Sequence, residues 1–339
     1  MARIALDAMG GDHAPQAPIE GALLALSELG PTLSIQLVGR AGEIEERLAG
    51  ELAGAFAHLA DARARIEIID APDIIEMSDK PTAAIRSKPN SSMAVGLKRH
   101  ADGTADAFVS AGHTGAQMAA SVYLLKLHDG LTRPAIGTVF PTARKPVVVL
   151  DAGANVDCSA EELVQFARLG DVYAEDILGR ANPSVALLSI GEEPEKGNAA
   201  VKEAHQLLRA AELNFHGNVE GRDILAGATE RGAIDVVVCD GFVGNVLLKF
   251  YESVAPMVMV LLRRAGVDSA LLDRGFRTFD YSEYGGAPLL GVKGVSIISH
   301  GESSPRALKN AIKVAMRAVE TEMVEHIGRR LAQPGAEAS

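Results

Sequence analysis

Five times along this chain of 339 residues a β-branched or aliphatic run stops at a short Gly-containing polar turn and a helical pattern begins. The turns are DAMGGDHAP after Ile4 to Leu6, SAGHTGA after Phe108 and Val109, DAGAN after Val147 to Leu150, CDGFVGN after Val236 to Val238, and SHGESSP after Val295 to Ile298. Repeated strand, turn and helix predict an α/β fold: a mostly parallel sheet with helices on both faces, joined by right-handed crossovers. Glycine lets backbone N–H groups approach a ligand closely, and the helix that follows adds a field that favours an anion. Loops at the carboxyl ends of parallel strands converge on one crevice. The pattern therefore predicts a single cleft that binds a polyanion and carries the reaction.

Strands are expected at Ile4–Asp7, Ser34–Val38, Ile66–Asp70, Ala107–Ser110, Val147–Asp151, Val185–Ile190, Val236–Asp240 and Val295–Ser299. Helical spacing is clear where Ile19, Ala22, Leu23 and Leu26 repeat at i, i+3, i+4, i+7, and again from Leu308 through Ala311, Ile312, Ala315, Met316 and Val319. Ser159 and Glu162 have the spacing of a capping box, and Pro305 after Ser303 and Ser304 suits a first helical position. No long linker, repeat or low-complexity segment interrupts the order. The reading is one catalytic domain over residues 1–332, of two lobes sharing a sheet with a helical excursion at 250–284, and a flexible tail at 333–339.

Composition removes several classes. A net charge of −11 and the lack of an RNP-like motif argue against nucleic acid. The start, MARIALDAMGG, runs directly into a strand rather than an apolar leader segment. The longest uninterrupted apolar stretch, Val254 to Leu262, has nine residues, against about 20 for a membrane-spanning helix. Two cysteines and nine histidines form neither C-x-x-C nor H-E-x-x-H, so a reduced, cytoplasmic chain without a metal or cofactor is expected. The dinucleotide fingerprint, the Walker P-loop and the G-x-S-x-G elbow are all missing. GGAPLLGVKG comes nearest to a P-loop, but Val292 separates Lys293 from Gly291.

Within SDKPTAAIRSKPNSSM, Lys80, Arg86 and Lys88 precede Ser91 and Ser92, a local positive run in an acidic protein. Such a run followed by hydroxyl donors suits phosphate, which backbone dipoles alone neutralise weakly, by about 0.3–1 kcal/mol per helix end.

Taken in order, DAMGGDHAP, AIRSKPNSSM, SAGHTGA, LDAGANVDC, SIGEEPEKGN, GNVEGRDIL, CDGFVGNVLLK, YGGAPLLGVKG and SHGESS resemble the PlsX family of phosphate acyltransferases, from about Arg3 to Ile327. The resemblance implies transfer of a fatty acyl group from acyl carrier protein to inorganic phosphate, giving acyl phosphate for glycerol-phosphate acylation in phospholipid synthesis. It implies a fold akin to phosphotransacetylases and isopropylmalate dehydrogenases, a homodimer, and peripheral association with a membrane, where a glycerol-phosphate acyltransferase is the partner that uses the product. One departure stands out: His113 occupies a position where the family pattern usually has Asn. A role for an imidazole there is not carried over, whereas hydrogen bonding to a ligand is.

Phosphate near neutral pH is already a nucleophile, so the site must place it about 3 Å from a thioester carbonyl and stabilise the oxyanion. Gly10, Gly11, Ser110, Gly112, His113, Thr114 and Gly115 are the candidate phosphate or oxyanion seat, with Arg86 and Lys88 as countercharge. Asp12 and His13 form a polar group at the first turn, while Asn155, Asp240, Asn245 and Lys249 are candidates for a second catalytic wall. His13 and His300 are candidate proton donors to the leaving thiolate. Cys158, near a helix start, offers a rival acyl-enzyme route through a thiol of depressed pKa. Cys239, in an apolar strand, reads as a small core residue.

For the acyl chain, membrane or carrier protein, the candidates are Met257, Met259, Leu261, Leu262, Arg263 and Arg264, followed by Leu271, Leu272, Arg274, Phe276 and Arg277. Apolar surface beside cations suits anionic lipid or an acidic carrier protein. The alternatives are a coenzyme A phosphotransacetylase, a decarboxylating NAD-dependent dehydrogenase of related fold, and a non-catalytic phosphate-responsive membrane scaffold.

Overall fold

A computed structural model describes residues 1–269, 271–272 and 281–332. The tail at 333–339 and the candidates Arg274, Phe276 and Arg277 lie outside the described residues.

In chain order the elements are β1 (Ala2–Asp7), α1 (Gln16–Glu28), β2 (Leu33–Gly39), α2 (Ala41–Ala53), β3 (Ile66–Asp70), α3 (Pro81–Ser87), α4 (Ser92–Ala101), β4 (Ala107–Ser110) and α5 (Thr114–Leu125). They continue with β5 (Ala135–Ile136), β6 (Thr138–Phe140), β7 (Val147–Leu150), α6 (Ala160–Asp176), β8 (Val185–Leu188), α7 (Ala199–Ala210), β9 (Phe215–Val219), α8 (Gly221–Ala226), β10 (Ala228–Thr229), β11 (Gly232–Ala233) and β12 (Val236–Val238). The long α9 (Gly241–Arg264) precedes β13 (Ala287–Leu290), β14 (Ser296–Ile298), α10 (Pro305–Glu320) and α11 (Met323–Ala332).

The chain divides into two compact units, residues 1–128 with 284–324 and residues 129–283 with 325–339. In the first, the strands run β3-β2-β1-β4-β14-β13. Leu6 pairs with Val109 and Ser110 with Ile298, all in parallel, so the turns after β1, β4 and β14 leave from one sheet edge. Only β13 reverses direction there, antiparallel to β14. Helix α1 packs on α10, and α3 and α4 pack on α5. The amphipathic faces behave as their spacing requires: Ile19, Ala22, Leu23, Ala311, Ile312 and Ala315 are all fully buried. Ser304 caps α10 with Pro305 at its first position, as the sequence indicates.

The second unit is built on β6-β7-β12-β8-β9, parallel except for β6 against β7. Val238 pairs with Leu150 on one side and Leu187 on the other, so the turns after β7, β12 and β8 share an edge. Its core joins Phe140, Val147, Val149, Ala186, Val219, Val237 and Cys239. The capping box at the start of α6 is present, with Glu162 accepting from the Ser159 amide at 2.9 Å and the Ser159 hydroxyl from the Glu162 amide at 3.3 Å.

Helix α9 departs from expectation. Its 24 residues, with an 18-residue window of mean hydropathy 1.4, make it long and apolar enough to cross a membrane by length and composition, although no uninterrupted apolar run indicates this. Polar side chains such as Asn245 and Lys249 break the run without breaking the helix. Val243, Leu247, Leu248 and Tyr251 nonetheless pack its first half on the second unit's core.

Candidate functional site

Three of the five glycine turns meet in the first unit, and Asp7 is the knot. At the end of β1 its carboxylate accepts the Met9 amide at 3.1 Å and the Ser110 hydroxyl at 2.7 Å. The Ser110 oxygen in turn accepts the Gly112 amide at 2.9 Å. Burial pushes the Asp7 carboxyl above its ordinary range, opposed by hydrogen bonds from Ser92, Ser110, Met9 and Gly10. Gly10 is required by close approach: a Cβ there would lie 2.7 Å from the Asp7 carboxylate and 2.8 Å from the Gly112 amide. The third turn is tied in by the Asp12 amide, which donates to the Gly301 carbonyl at 2.8 Å.

His113 caps α5, its Nδ1 accepting the Ala116 amide at 3.4 Å. This accounts for the departure from Asn, because either side chain can offer an acceptor to the first turn. Thr114 and Gly115 then open α5, with Pro81 of α3 packed 3.1 Å from a would-be Gly115 Cβ. The two expected countercharges differ. Lys88 donates to Asp79 at 2.6 Å and to the Ile74 carbonyl at 2.9 Å, and holds the Asp79 carboxyl below its ordinary value. Arg86 is exposed on the last turn of α3, and its charge has no partner among the described residues. Asp12, His13 and His300 are exposed, and the His300 Nδ1 accepts the Glu302 amide at 3.3 Å.

The other two turns meet in the second unit, around Asp151. Its buried carboxylate accepts the amides of Ile136, Ala154 and Asn155 at 2.9, 3.2 and 2.7 Å, and the Asn155 side chain at 2.9 Å. Burial raises the Asp151 carboxyl, and these four donors work against that rise. The Asn155 side chain is itself occupied, donating also to the Pro134 carbonyl at 2.7 Å. Gly241 and Gly244 bring α9 against this loop, since a Cβ at Gly241 would meet the Asn155 carbonyl and one at Gly244 the Asp151 carbonyl. Asp240 caps α9, accepting the Val243 amide at 3.0 Å through Oδ1. Asn245 is exposed beside Gly153, and Lys249 is paired with Glu252 at 2.9 Å on the surface.

Five turns expected in one cleft are thus knit as a group of three and a group of two, each within its own unit. Asp151 was not among the expected site residues, and Ser92, expected as a hydroxyl donor to phosphate, is hydrogen-bonded to Asp7. An aspartate closing the all-apolar run VVVL was the signal for Asp151, because a buried carboxylate there must find donors.

The rival route through Cys158 gains no support from its surroundings. Burial, reinforced by the charges of Asp151, Glu162 and Asp240 against one opposing hydrogen bond, pushes its thiol up to about 11. The helix-end field does not compensate, and Cys239 is raised further. On α9, Met257 and Leu261 are exposed, Met259 and Leu262 half-buried, and Arg263 and Arg264 lie exposed in the last turn.

A family model described as "Fatty acid synthesis protein" matches residues 2–326. The phosphate acyltransferase of Desulforamulus reducens is 47% identical over 341 residues, covering 98% of each chain. That of Heliobacterium modesticaldum is 46% identical over 340 residues, covering 96% of this chain and 97% of the relative. Among solved structures, the EutD phosphotransacetylase from Staphylococcus aureus superposes with a TM-score of 0.62 at 16% identity, over 94% of each chain, a likeness of fold.

Proposed function

The chain belongs to the phosphate acyltransferase (PlsX) family, and from this premise we propose that it transfers a fatty acyl group from acyl carrier protein to inorganic phosphate. Membership makes it an acyltransferase that uses phosphate as acceptor, which removes the dehydrogenase and scaffold alternatives. The identity of the donor and the use of acyl phosphate for phospholipid synthesis are our reading.

In this reading a phosphate oxygen attacks the thioester carbonyl, the C–O bond forms, the C–S bond breaks, and its electron pair leaves with sulfur as a thiolate. The observation that supports direct attack is that both cysteines are buried, Cys158 at 8% and Cys239 at 4% exposure, which pushes the Cys158 thiol up to about 11 and Cys239 well above its ordinary value. Neither cysteine supports an acyl-enzyme.

Phosphate is assigned to the first unit, where the amides of Thr114 and Gly115 open α5, Ser110 holds the preceding Gly112 amide, and Arg86 supplies charge. Rate then comes from positioning, which contributes about 7–11 kcal/mol in favourable cases, more than the 10²- to 10⁴-fold of one general acid. Asp240 and Asn245 are assigned to the donor, and His13 or His300 to protonation of the thiolate. We further assign the enzyme to the cytoplasm as a homodimer at the membrane surface, with Arg263 and Arg264 meeting acidic carrier protein or anionic lipid and a glycerol-phosphate acyltransferase taking the product.

The test is to incubate the protein with acyl carrier protein thioester and phosphate, then trap acyl phosphate with hydroxylamine. Hydroxamate that depends on phosphate is the expected result. Thioester consumption without it would refute the reading.

A further inference from the structure

Three large apolar side chains stand exposed on the carboxyl edge of the second unit's sheet, one on each of three neighbouring strand exits. Val156 follows β7 and is 59% exposed, Phe242 follows β12 at 61%, and Ile190 follows β8 at 81%. The order β7-β12-β8 and the pairing of Val238 with Leu150 and Leu187 put these exits side by side, about 5 Å per strand.

Nothing about these loops is slack. Asn155, next to Val156, is pinned to Asp151 and Pro134. Asp240 caps the turn that carries Phe242. The Ile190 loop is held by Asn218, whose amide donates to the Glu193 carbonyl at 2.8 Å while its oxygen meets His205 Nδ1 at 2.8 Å. Three anchored loops therefore present apolar groups to solvent, an arrangement that marks a binding surface.

We propose that this row receives the hydrocarbon part of the fatty acyl donor, an inference that rests on the acyl-transfer reading above. Charge selects the occupant. Exposed Asp157, Glu192, Glu193 and Glu195 border the row and outnumber the cations beside it, Lys196 and an Arg133 that donates to the Val156 carbonyl at 3.4 Å and is paired with Glu162 at 3.2 Å. Anionic lipid or an acidic protein face would be repelled there, and a second copy of this chain, at net charge −11, brings the same sign. A neutral alkyl chain is not. The row is also continuous with the residues assigned to the donor, since Phe242 lies between Asp240 and Asn245.

The experiment compares kcat/KM for palmitoyl and butyryl thioesters of acyl carrier protein in the parent, Ile190→Ser and Phe242→Ser, with thermal unfolding as a check on the fold. Each substitution should lower the palmitoyl-to-butyryl ratio by about tenfold. An unchanged ratio in folded variants overturns the inference while leaving phosphate-dependent hydroxamate in the parent intact. Loss of a dimer in sedimentation with the ratio unchanged would make a second copy the occupant and also overturn it. A parent that forms no acyl phosphate from either donor would instead remove the reaction itself.

Discussion

The Ser110 hydroxyl donates to the Asp7 carboxylate at 2.7 Å, joining the ends of two neighbouring parallel strands in a buried contact. Through the same oxygen Ser110 holds the Gly112 amide, so one hydroxyl fixes both the first turn and the start of the proposed phosphate seat. Ser110→Ala should leave a buried carboxylate short of one donor and cost about 1–3 kcal/mol. Urea unfolding measures that cost, and a raised KM for phosphate should accompany it. Retained stability together with unchanged phosphate dependence would show that the hydroxyl organises neither turn.

Gly244 admits no side chain, because its Cβ would fall on the Asp151 carbonyl, a backbone atom held by the loop's own hydrogen bonds. Gly244→Ala should destabilise by about 3 kcal/mol or more, by displacing α9 from the loop. Gly50→Ala is the control: it lies within α2 with open space around it and should stabilise by about 0.5–1 kcal/mol. Thermal or urea unfolding distinguishes the two. Equal, small effects would mean that the contact between α9 and the Asp151 loop yields freely.

Much of the architecture was readable because apolar runs and glycine turns alternate so regularly. The interior strands β1, β4, β7 and β12 fall where Ile4, Phe108, Val147 and Val236 predict them. What escaped was the irregular material. Strand β9 carries His216, Asn218 and a Gly217 at φ +91°, and its register with β8 shifts between Val185 and Ala186, so no clean alternation marks it. Strand β13 contains Pro288 and runs antiparallel, outside the repeating pattern. At the site, the polar residue types were visible but their engagements were not. Lys88 and Arg86 are two positions apart, yet among the described residues only Lys88 is bound to a carboxylate, through Asp79 nine residues away. Cys158 stands near a helix start, which left an activated thiol open as a rival reading, and its burial beside Asp151 and Glu162 is not visible in the sequence.

Cys158→Ala should keep full activity, because a buried thiol raised to about 11 takes no part in the transfer. Its deletion should cost about 1 kcal/mol or less in stability, as for a small core side chain. Rates of hydroxamate formation in parent and variant decide this. A folded variant without activity would revive the acyl-enzyme.

Arg86→Ala and Lys88→Ala should separate binding from structure in the first unit. Arg86 is exposed and has no charge partner among the described residues, so its removal should raise KM for phosphate several-fold while leaving unfolding unchanged. Lys88 bridges Asp79 and the Ile74 carbonyl, so its removal should instead lower stability. Steady-state kinetics against phosphate, paired with melting curves, tests the division. If neither variant alters phosphate dependence, the countercharge lies elsewhere.

Acid sensitivity should follow from His100. Its Nδ1 donates to the Ala105 carbonyl at 3.1 Å, and its Nε2 accepts the Val295 amide at 2.8 Å, so the fold requires the neutral ring. Burial lowers its pKa, opposed by the Ala105 carbonyl and by Asp106. Because the folded pKa lies below the unfolded value of about 6.5, the unfolded chain takes up the proton first as pH falls. This residue's contribution is therefore complete above about pH 6.5 and declines below it, by at most about 1.4 kcal/mol per pH unit until the folded pKa is passed. Protonation would turn Nε2 into a donor facing the Val295 amide and loosen the entry to β14. His100→Asn should be less stable near neutrality and lose this part of the slope. Urea midpoints measured from about pH 7.5 to about pH 5 test it: parallel curves for parent and variant would assign the acid sensitivity to other groups.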